Sequence, residues 1–297
     1  MSSFLKSLSI LSSGLLISSF VILPVREVTS VVMAQNNEQA AEAKVSQGLQ
    51  LIQQSRLNDA IAAFRQATQI NPNMAAAHYN LGLALRQQGQ LQASATAFYQ
   101  ATQADPNFAL AYANLGAALI EGNNLNQARD YLQRSLELGP KLGLAHYNLG
   151  LVLELQGDLP GAIGAFREAT RFTPNAPEPL YHLGLVYQKQ QKSSEAIAAF
   201  RQAVQRNPNY AEAHYSLGSM LFGQGDLDSA LTAFRKSSQV NPDYANAYYG
   251  AGLVFIRQNK VSDAQQTLSY AKNLFAAQKN SLWAERAEQQ LKKLRNR

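Results

Sequence analysis

The sequence predicts an all-α solenoid assembled from short antiparallel helix pairs. Three observations predict it. Apolar residues recur at helical spacing in short segments, Gly or Asn separates the two halves of most pairs, and the whole pattern repeats every 34 residues without insertion or deletion. The stretch 143–176, GLAHYNLGLVLELQGDLPGAIGAFREATRFTPNA, shows the unit. In its first half Leu149, Gly150 and Leu153 follow Tyr147 on one helical face, and in its second half Ala162, Phe166 and Ala169 do the same. Gly157 and Asp158 break the pattern between them, Pro160 suits the first turn of the second helix, and Pro174 closes the unit. A helix pair this small cannot bury its apolar faces alone and needs copies on either side.

The copies are present. Leu-Gly pairs recur at Leu81-Gly82, Leu115-Gly116, Leu149-Gly150, Leu183-Gly184 and Leu217-Gly218. The bulky second-helix residue recurs as Phe64, Phe98, Leu132, Phe166, Phe200, Phe234 and Leu268, and the closing proline as Pro72, Pro106, Pro140, Pro174, Pro208 and Pro242. Seven units therefore fill 41–278, as 41–74, 75–108, 109–142, 143–176, 177–210, 211–244 and 245–278. The glycine at 48, 82, 116, 150, 184, 218 and 252 removes a side chain where a neighbouring helix must come close, and the small residue at 60, 128, 162, 196, 230 and 264 does likewise, with Ser94 as the departure. The inter-helix turn carries Gly89, Asn123, Gly157, Gly225 and Asn259, which tolerate positive φ. Ser55 and Gln191 suit that conformation less well, so those two turns are expected to be built differently.

This period and residue pattern resembles the tetratricopeptide repeat over about four fifths of the chain. The resemblance implies a right-handed superhelix whose first helices line a concave face that binds extended peptides. Some members of that family hold a C-terminal carboxylate with Lys and Arg on successive first helices. The matching positions here carry Tyr, Leu, Ala, Glu and Asn, so that clamp is absent.

The remaining segments follow in order. Residues 1–34 hold Lys6, then an apolar run from Leu8 to Leu23, then Val32-Met33-Ala34 with small residues at −3 and −1, the pattern of a cleaved export signal. The alternative is an uncleaved membrane anchor over 4–23. Either places the repeats in the periplasm or another extracytoplasmic space. The chain has no cysteine, which excludes disulfides and thiolate metal sites. Residues 35–40 read as a polar leader, and Lys44 and Gln47 give the first repeat the polar character of a unit with one neighbour. Pro177-Glu178-Pro179 opens the fifth repeat with residues preferred in a first helical turn. In the seventh, Leu274-Phe275-Ala276 replaces the proline turn, so its second helix is expected to run on. The stretch 281–294 places Leu282, Ala284, Ala287 and Leu291 among charged residues, as a capping helix with Trp283 packed at the seam, and 279–297 as a whole is a basic cap.

The formal net charge of +6 is concentrated at the ends, with +1 in 1–34, +4 in 279–297 and only +1 across the repeats. A surface so nearly balanced gives no electrostatic case for nucleic acid. The tail from Lys292 to Arg297 is the one charge cluster, suited to a helix C-terminus or to contact with anionic lipid. His78, His146 and His214 share one repeat position, which separates them in space and argues for packing rather than a metal site; no cofactor is expected. No phosphate loop and no paired carboxylates stand out, so the chain reads as non-enzymatic.

A binding surface remains. By the resemblance, Tyr79, Tyr147, Tyr181, Tyr215 and Tyr249 lie on the concave face with Asn80, Asn114 and Asn148 beside them, and His182, Ser216 and Gly250 continue the asparagine position. Stacked in register, the asparagines would form a ladder of amides able to grip an extended backbone. The same residues also serve packing between helices. The groove site is accordingly Tyr79, Asn80, Asn114, Tyr147, Asn148, Tyr181, His182 and Tyr215. Farther along come Leu110, Ile120, Leu144, Leu155, Phe222 and Ile256, mixed with Arg86, Glu121, Glu154, Gln188, Lys189 and Arg257, which favours a protein partner with apolar anchors and a few charges. The expected function is an exported scaffold that binds a partner segment in assembly of an envelope complex. The competing readings are an oligomerisation module using its convex face or ends, and an accessory subunit positioning an enzyme on an envelope glycan.

Overall fold

The computed structural model describes residues 25–296, with side chains from Met33 onward. Among these residues there are fifteen α-helices and no strand. Seven antiparallel pairs follow one another: α1 (Val25–Gln53) with α2 (Leu57–Ile70), α3 (Ala75–Gln87) with α4 (Leu91–Ala104), α5 (Ala109–Glu121) with α6 (Leu125–Leu138), and α7 (Gly143–Leu155) with α8 (Leu159–Phe172). Then come α9 (Glu178–Lys189) with α10 (Ser193–Arg206), α11 (Ala211–Gln224) with α12 (Leu227–Val240), and α13 (Ala245–Arg257) with α14 (Val261–Ala277), and α15 (Ser281–Arg295) closes the array. The apolar run through Leu23 lies outside the described residues. Residues 35–40, the polar leader, are an exposed part of α1, which continues unbroken into the first repeat.

All eight tight turns are built alike. At each, one residue takes positive φ, and the next N–H returns to a carbonyl five residues back at 2.8–3.0 Å, from Arg56 N to Leu51 O at the first and Asn280 N to Phe275 O at the last. This is the Schellman closure of a helix. Ser55 (φ 60°) and Gln191 (φ 59°) adopt it as fully as Gly89, Gly157 and Gly225, which corrects the expectation that those two turns would differ. The carbonyl closure and the packing on both sides override the weak local preference. Left-handed backbone costs a residue with a Cβ about 1 kcal/mol or more. Gln191→Gly is therefore expected to raise stability by about 0.5–1 kcal/mol, read as a higher urea midpoint at unchanged slope.

Helix pairing within a repeat rests on a glycine opposite a large residue. A Cβ on Gly48, Gly82, Gly116, Gly150, Gly184, Gly218 or Gly252 would lie within 2.8 Å of Phe64, Phe98, Leu132, Phe166, Phe200, Phe234 or Leu268 respectively. Those large side chains are almost wholly buried and form the centre of each layer. Ser94 keeps its place in this packing because its hydroxyl donates to the Gly82 carbonyl at 2.8 Å, and Ser135 and Ser237 satisfy themselves on Ala109 O and Ala211 O at 2.8 Å. A buried hydroxyl with a backbone acceptor costs little.

First helices of successive repeats approach one another directly, α1 to α3, α5 to α7 and α11 to α13, and the second helices have no comparable approach. Clefts open instead between second helices, one of about 680 Å³ bounded by Arg201 on α10 and Arg235 on α12. The first helices thus lie on the inside of the curve.

The end of the array departs from the repeat. Without a proline, α14 runs on to Ala277, and α15 folds back on it. Ala287, Leu291 and Leu294 are buried there, and Trp283 stacks on Phe275 (centroids 5.8 Å apart) with Tyr249 against its edge (5.4 Å), the seam position expected. Leu282 is 57% exposed, which corrects its place on the buried face. Asn280 caps α15 by accepting from Trp283 N, and this start turns Trp283 inward and leaves Leu282 outside. Lys292, Lys293 and Arg295 occupy the last turn, where cations suit the helix dipole.

Candidate binding groove on the first helices

The inner face is built on a row of half-buried tyrosines, each lying on the large residue of its own layer. Tyr79 sits 5.8 Å from Phe98, Tyr147 6.0 Å from Phe166, Tyr181 5.9 Å from Phe200 and Tyr215 5.8 Å from Phe234. The residue just before the next first helix supplies a second ring: Phe108 on Tyr79 at 4.9 Å, Tyr210 on Tyr181 at 5.0 Å and Tyr244 on Tyr215 at 5.4 Å. These second rings were not singled out from the sequence, although their spacing carries the signal. Met74, Phe108, Leu142, Ala176, Tyr210 and Tyr244 recur every 34 residues.

The asparagines do not stand free along this face. Asn80 donates to Ala76 O at 2.8 Å, and Asn114 donates both to Leu110 O at 2.9 Å and to the Tyr79 hydroxyl at 3.3 Å. Asn114 and Asn148 are each only 5% exposed. At 114, 182 and 216 the position holds the tyrosine of the preceding repeat. His182 meets Tyr147 edge-on at 5.7 Å and stacks on Phe166 at 5.4 Å, and Ser216 reaches the Tyr181 hydroxyl. Ala113 replaces the tyrosine that Asn148 would meet, and the Asn148 amide nitrogen is buried without a partner. The helical hydrogen bond to the residue four back and the contact to the repeat before are geometric facts that a column of asparagines in a sequence does not reveal.

Charge on this face is mostly neutralised. Arg86 Nε reaches Glu121 at 3.0 Å. Glu154 accepts from Lys189 Nζ at 2.6 Å and from His182 Nδ1 at 3.1 Å. Burial alone would raise the Glu154 carboxyl, but these two donors hold it below the ordinary carboxylate range. Arg257 donates to Phe222 O at 3.1 Å and lies over the Phe222 ring at 5.1 Å. Glu178 and Glu212 are the exceptions, exposed in the first turns of α9 and α11 and without an ion pair among the described residues. Their influence is felt by the tyrosines. Burial, then Glu178 and Glu154, push the Tyr147 hydroxyl up to about 12; burial, then Tyr215, Tyr181 and Glu212, push Tyr244 up to about 12. Tyr210 is raised by burial and then by Tyr181, Tyr147, Glu178 and Glu212 together.

His78, His146 and His214 each place Nε2 against the carbonyl of the closing proline six residues earlier, at 2.8, 2.9 and 3.0 Å, a structural use of the ring. No group of metal-ligating side chains converges among the described residues. Among the described residues no helix is long and apolar enough to cross a membrane.

Family models of the tetratricopeptide repeat match residues 113–177, 181–239 and 221–278, and a further TPR repeat model matches 48–89 and 82–121. The chain belongs to the tetratricopeptide repeat family. No curated protein matches this TPR array in sequence. Among solved structures it is similar to YrrB, described as a TPR protein with an unusual peptide-binding site, at 28% identity and a TM-score of 0.55 over 66% of this chain and 99% of that one. It also shares its fold with PilF of Pseudomonas aeruginosa (20% identity, TM-score 0.63, 71% of this chain and 96% of that one). PilW, described as a widely conserved type IV pilus biogenesis factor, is a further fold neighbour (18% identity, TM-score 0.63, 69% and 95%). The TPR array is thus a protein-interaction scaffold, built on the same first-helix and second-helix plan throughout.

Proposed function

We propose that this TPR protein holds an extended segment of a partner protein along the inner face of its first helices, in assembly of an envelope complex. The observation that carries this is the second residue of four successive repeats, Leu110, Leu144, Glu178 and Glu212, which stands exposed along the tyrosine row. Leu110 is 39% and Leu144 37% exposed, apolar surface that a rigid preformed face offers to a ligand without reorganisation. Similarity to a protein described as peptide-binding supports the same use here. Among the site residues, the tyrosines supply the floor, and Asn80, Asn114, Asn148 and His182 fix its shape instead of touching the ligand. The envelope setting rests on the sequence pattern through Leu23 and Val32-Met33-Ala34.

The test is affinity capture from an envelope fraction with the full chain and with its Leu110→Ser/Leu144→Ser/Leu155→Ser variant as paired baits. All three leucines are exposed, so the fold and melting temperature are expected to stay unchanged. A partner retained by the first bait and lost by the second is expected. Identical captures by the two baits would overturn the groove in favour of the convex face and ends.

A further inference from the structure

Tyr147 differs from its neighbours in what stands beside it. Tyr79, Tyr181 and Tyr215 each have a second ring against them, from Phe108, Tyr210 and Tyr244. The corresponding residue beside Tyr147 is Ala176. Where the ring is missing, a recess of about 290 Å³ opens between α7 and the start of α9. Its walls are Leu144, Tyr147, Thr173, Ala176 and Pro179, and Glu178 stands at the same recess. On the C-terminal side of this recess the next two layers are closed by their own rings, Tyr181 with Tyr210 and Tyr215 with Tyr244.

Resting on the groove reading above, we propose that this recess receives the side chain of a lysine or arginine of the bound segment, and that Glu212, one repeat on, takes a second cation. The apolar walls suit the methylene stem, which long cationic side chains bury while keeping the charge at a polar edge. The face of Tyr147 and the Glu178 carboxylate are both favourable partners for the charged end. Charge complementarity selects the cation over another apolar residue. The three cations of the first helices α3 to α13 are already engaged, Arg86 by Glu121, Lys189 by Glu154 and Arg257 by Phe222. The carboxylates of Glu178 and Glu212 are left without an ion pair among the described residues. A segment that is apolar where it crosses Leu110 and Leu144 and basic where it crosses Glu178 and Glu212 matches the face rung by rung.

The probe is a phage-displayed random dodecapeptide library selected on the full chain, followed by fluorescence polarisation with a consensus peptide. Selected sequences are expected to be enriched in Lys or Arg next to apolar residues. Replacing that residue by norleucine is expected to weaken binding about 5- to 10-fold, the range of one partly exposed charge pair with its packing. Glu178→Gln is expected to lose about the same factor, and the two changes together no more than one of them. Ala176→Phe, which supplies the ring that other repeats carry at this position, is expected to abolish the preference while leaving the fold intact. Binders that lack basic residues, or that bind Glu178→Gln and Ala176→Phe unchanged, yet fail on Leu110→Ser/Leu155→Ser, would overturn the cation recess and keep the groove. Binders indifferent to every one of these variants, or a library that yields none, would overturn both.

Discussion

Phe200→Ala is expected to lower the stability of the array by about 3–5 kcal/mol, the cost of emptying the centre of a well-packed layer. Phe200 is fully buried, and it is touched from three directions: Gly184 lies opposite on α9, Tyr181 rests on it at 5.9 Å, and the small residues of α10 and α11 complete the layer. Its loss therefore weakens both the pairing within the fifth repeat and the stacking on the sixth, and in a solenoid those nearest-neighbour terms supply most of the stability. The partner residue gives a sharper form of the test. Gly184→Ala places a Cβ within 2.8 Å of the Phe200 ring, so in the parent it is expected to destabilise by about 1–3 kcal/mol despite the gain in helix propensity. In the Phe200→Ala background the ring is gone, and the same change should become neutral or stabilising by up to about 1 kcal/mol. Additive effects in chemical denaturation would show that glycine and ring are not packed as described.

Ending the chain at Gln278 is expected to produce the second large effect. It removes α15 and leaves Phe275, buried to 1% exposure in the intact chain, without Trp283 over its ring. Burying Leu291 and Leu294 together contributes roughly 3–6 kcal/mol, and terminal units of a solenoid need a polar outer face to remain soluble. Loss of soluble protein, or a melting temperature lower by more than about 5 °C, is the expected result. Leu291→Asp keeps the helix and its charges and should reproduce most of the loss. Lys292→Ser/Lys293→Ser/Arg295→Ser removes exposed cations only and should shift stability by no more than about 1 kcal/mol. A basic-tail variant as damaging as Leu291→Asp would show that the cap acts through charge and not through packing.

The fold was legible because its determinants are local and repeated. The glycine, the large residue sixteen positions later and the closing proline lie within one unit, and seven phased copies average away local exceptions. Ser55 and Gln191 were misjudged because turn preference is a weak local term, and here a hydrogen bond and two flanking layers act against it. Leu282 was misplaced for a related reason: in the first turn of α15 the cap on Asn280, not the spacing of apolar residues, sets which side chain faces inward. The groove was legible only in part. The tyrosine row follows directly from the period, but the asparagine amides turn to partners that the alignment does not show, Asn80 to Ala76 O and Asn114 to Leu110 O and to Tyr79, 35 residues away. Nor does a column of aligned residues show that Ala176 leaves a recess, since that requires knowing that Phe108, Tyr210 and Tyr244 lie against the tyrosines.

Site-specific photo-crosslinking of the full chain in its own cells tests most directly whether a partner segment lies along the first helices. A benzophenone amino acid at Leu144 reports on the inner face, and the same group at Tyr99, 41% exposed on α4, reports on the outer one. A discrete protein adduct is expected from position 144 and none from position 99. Adducts from position 99 alone would contradict this and move the binding surface to the second helices.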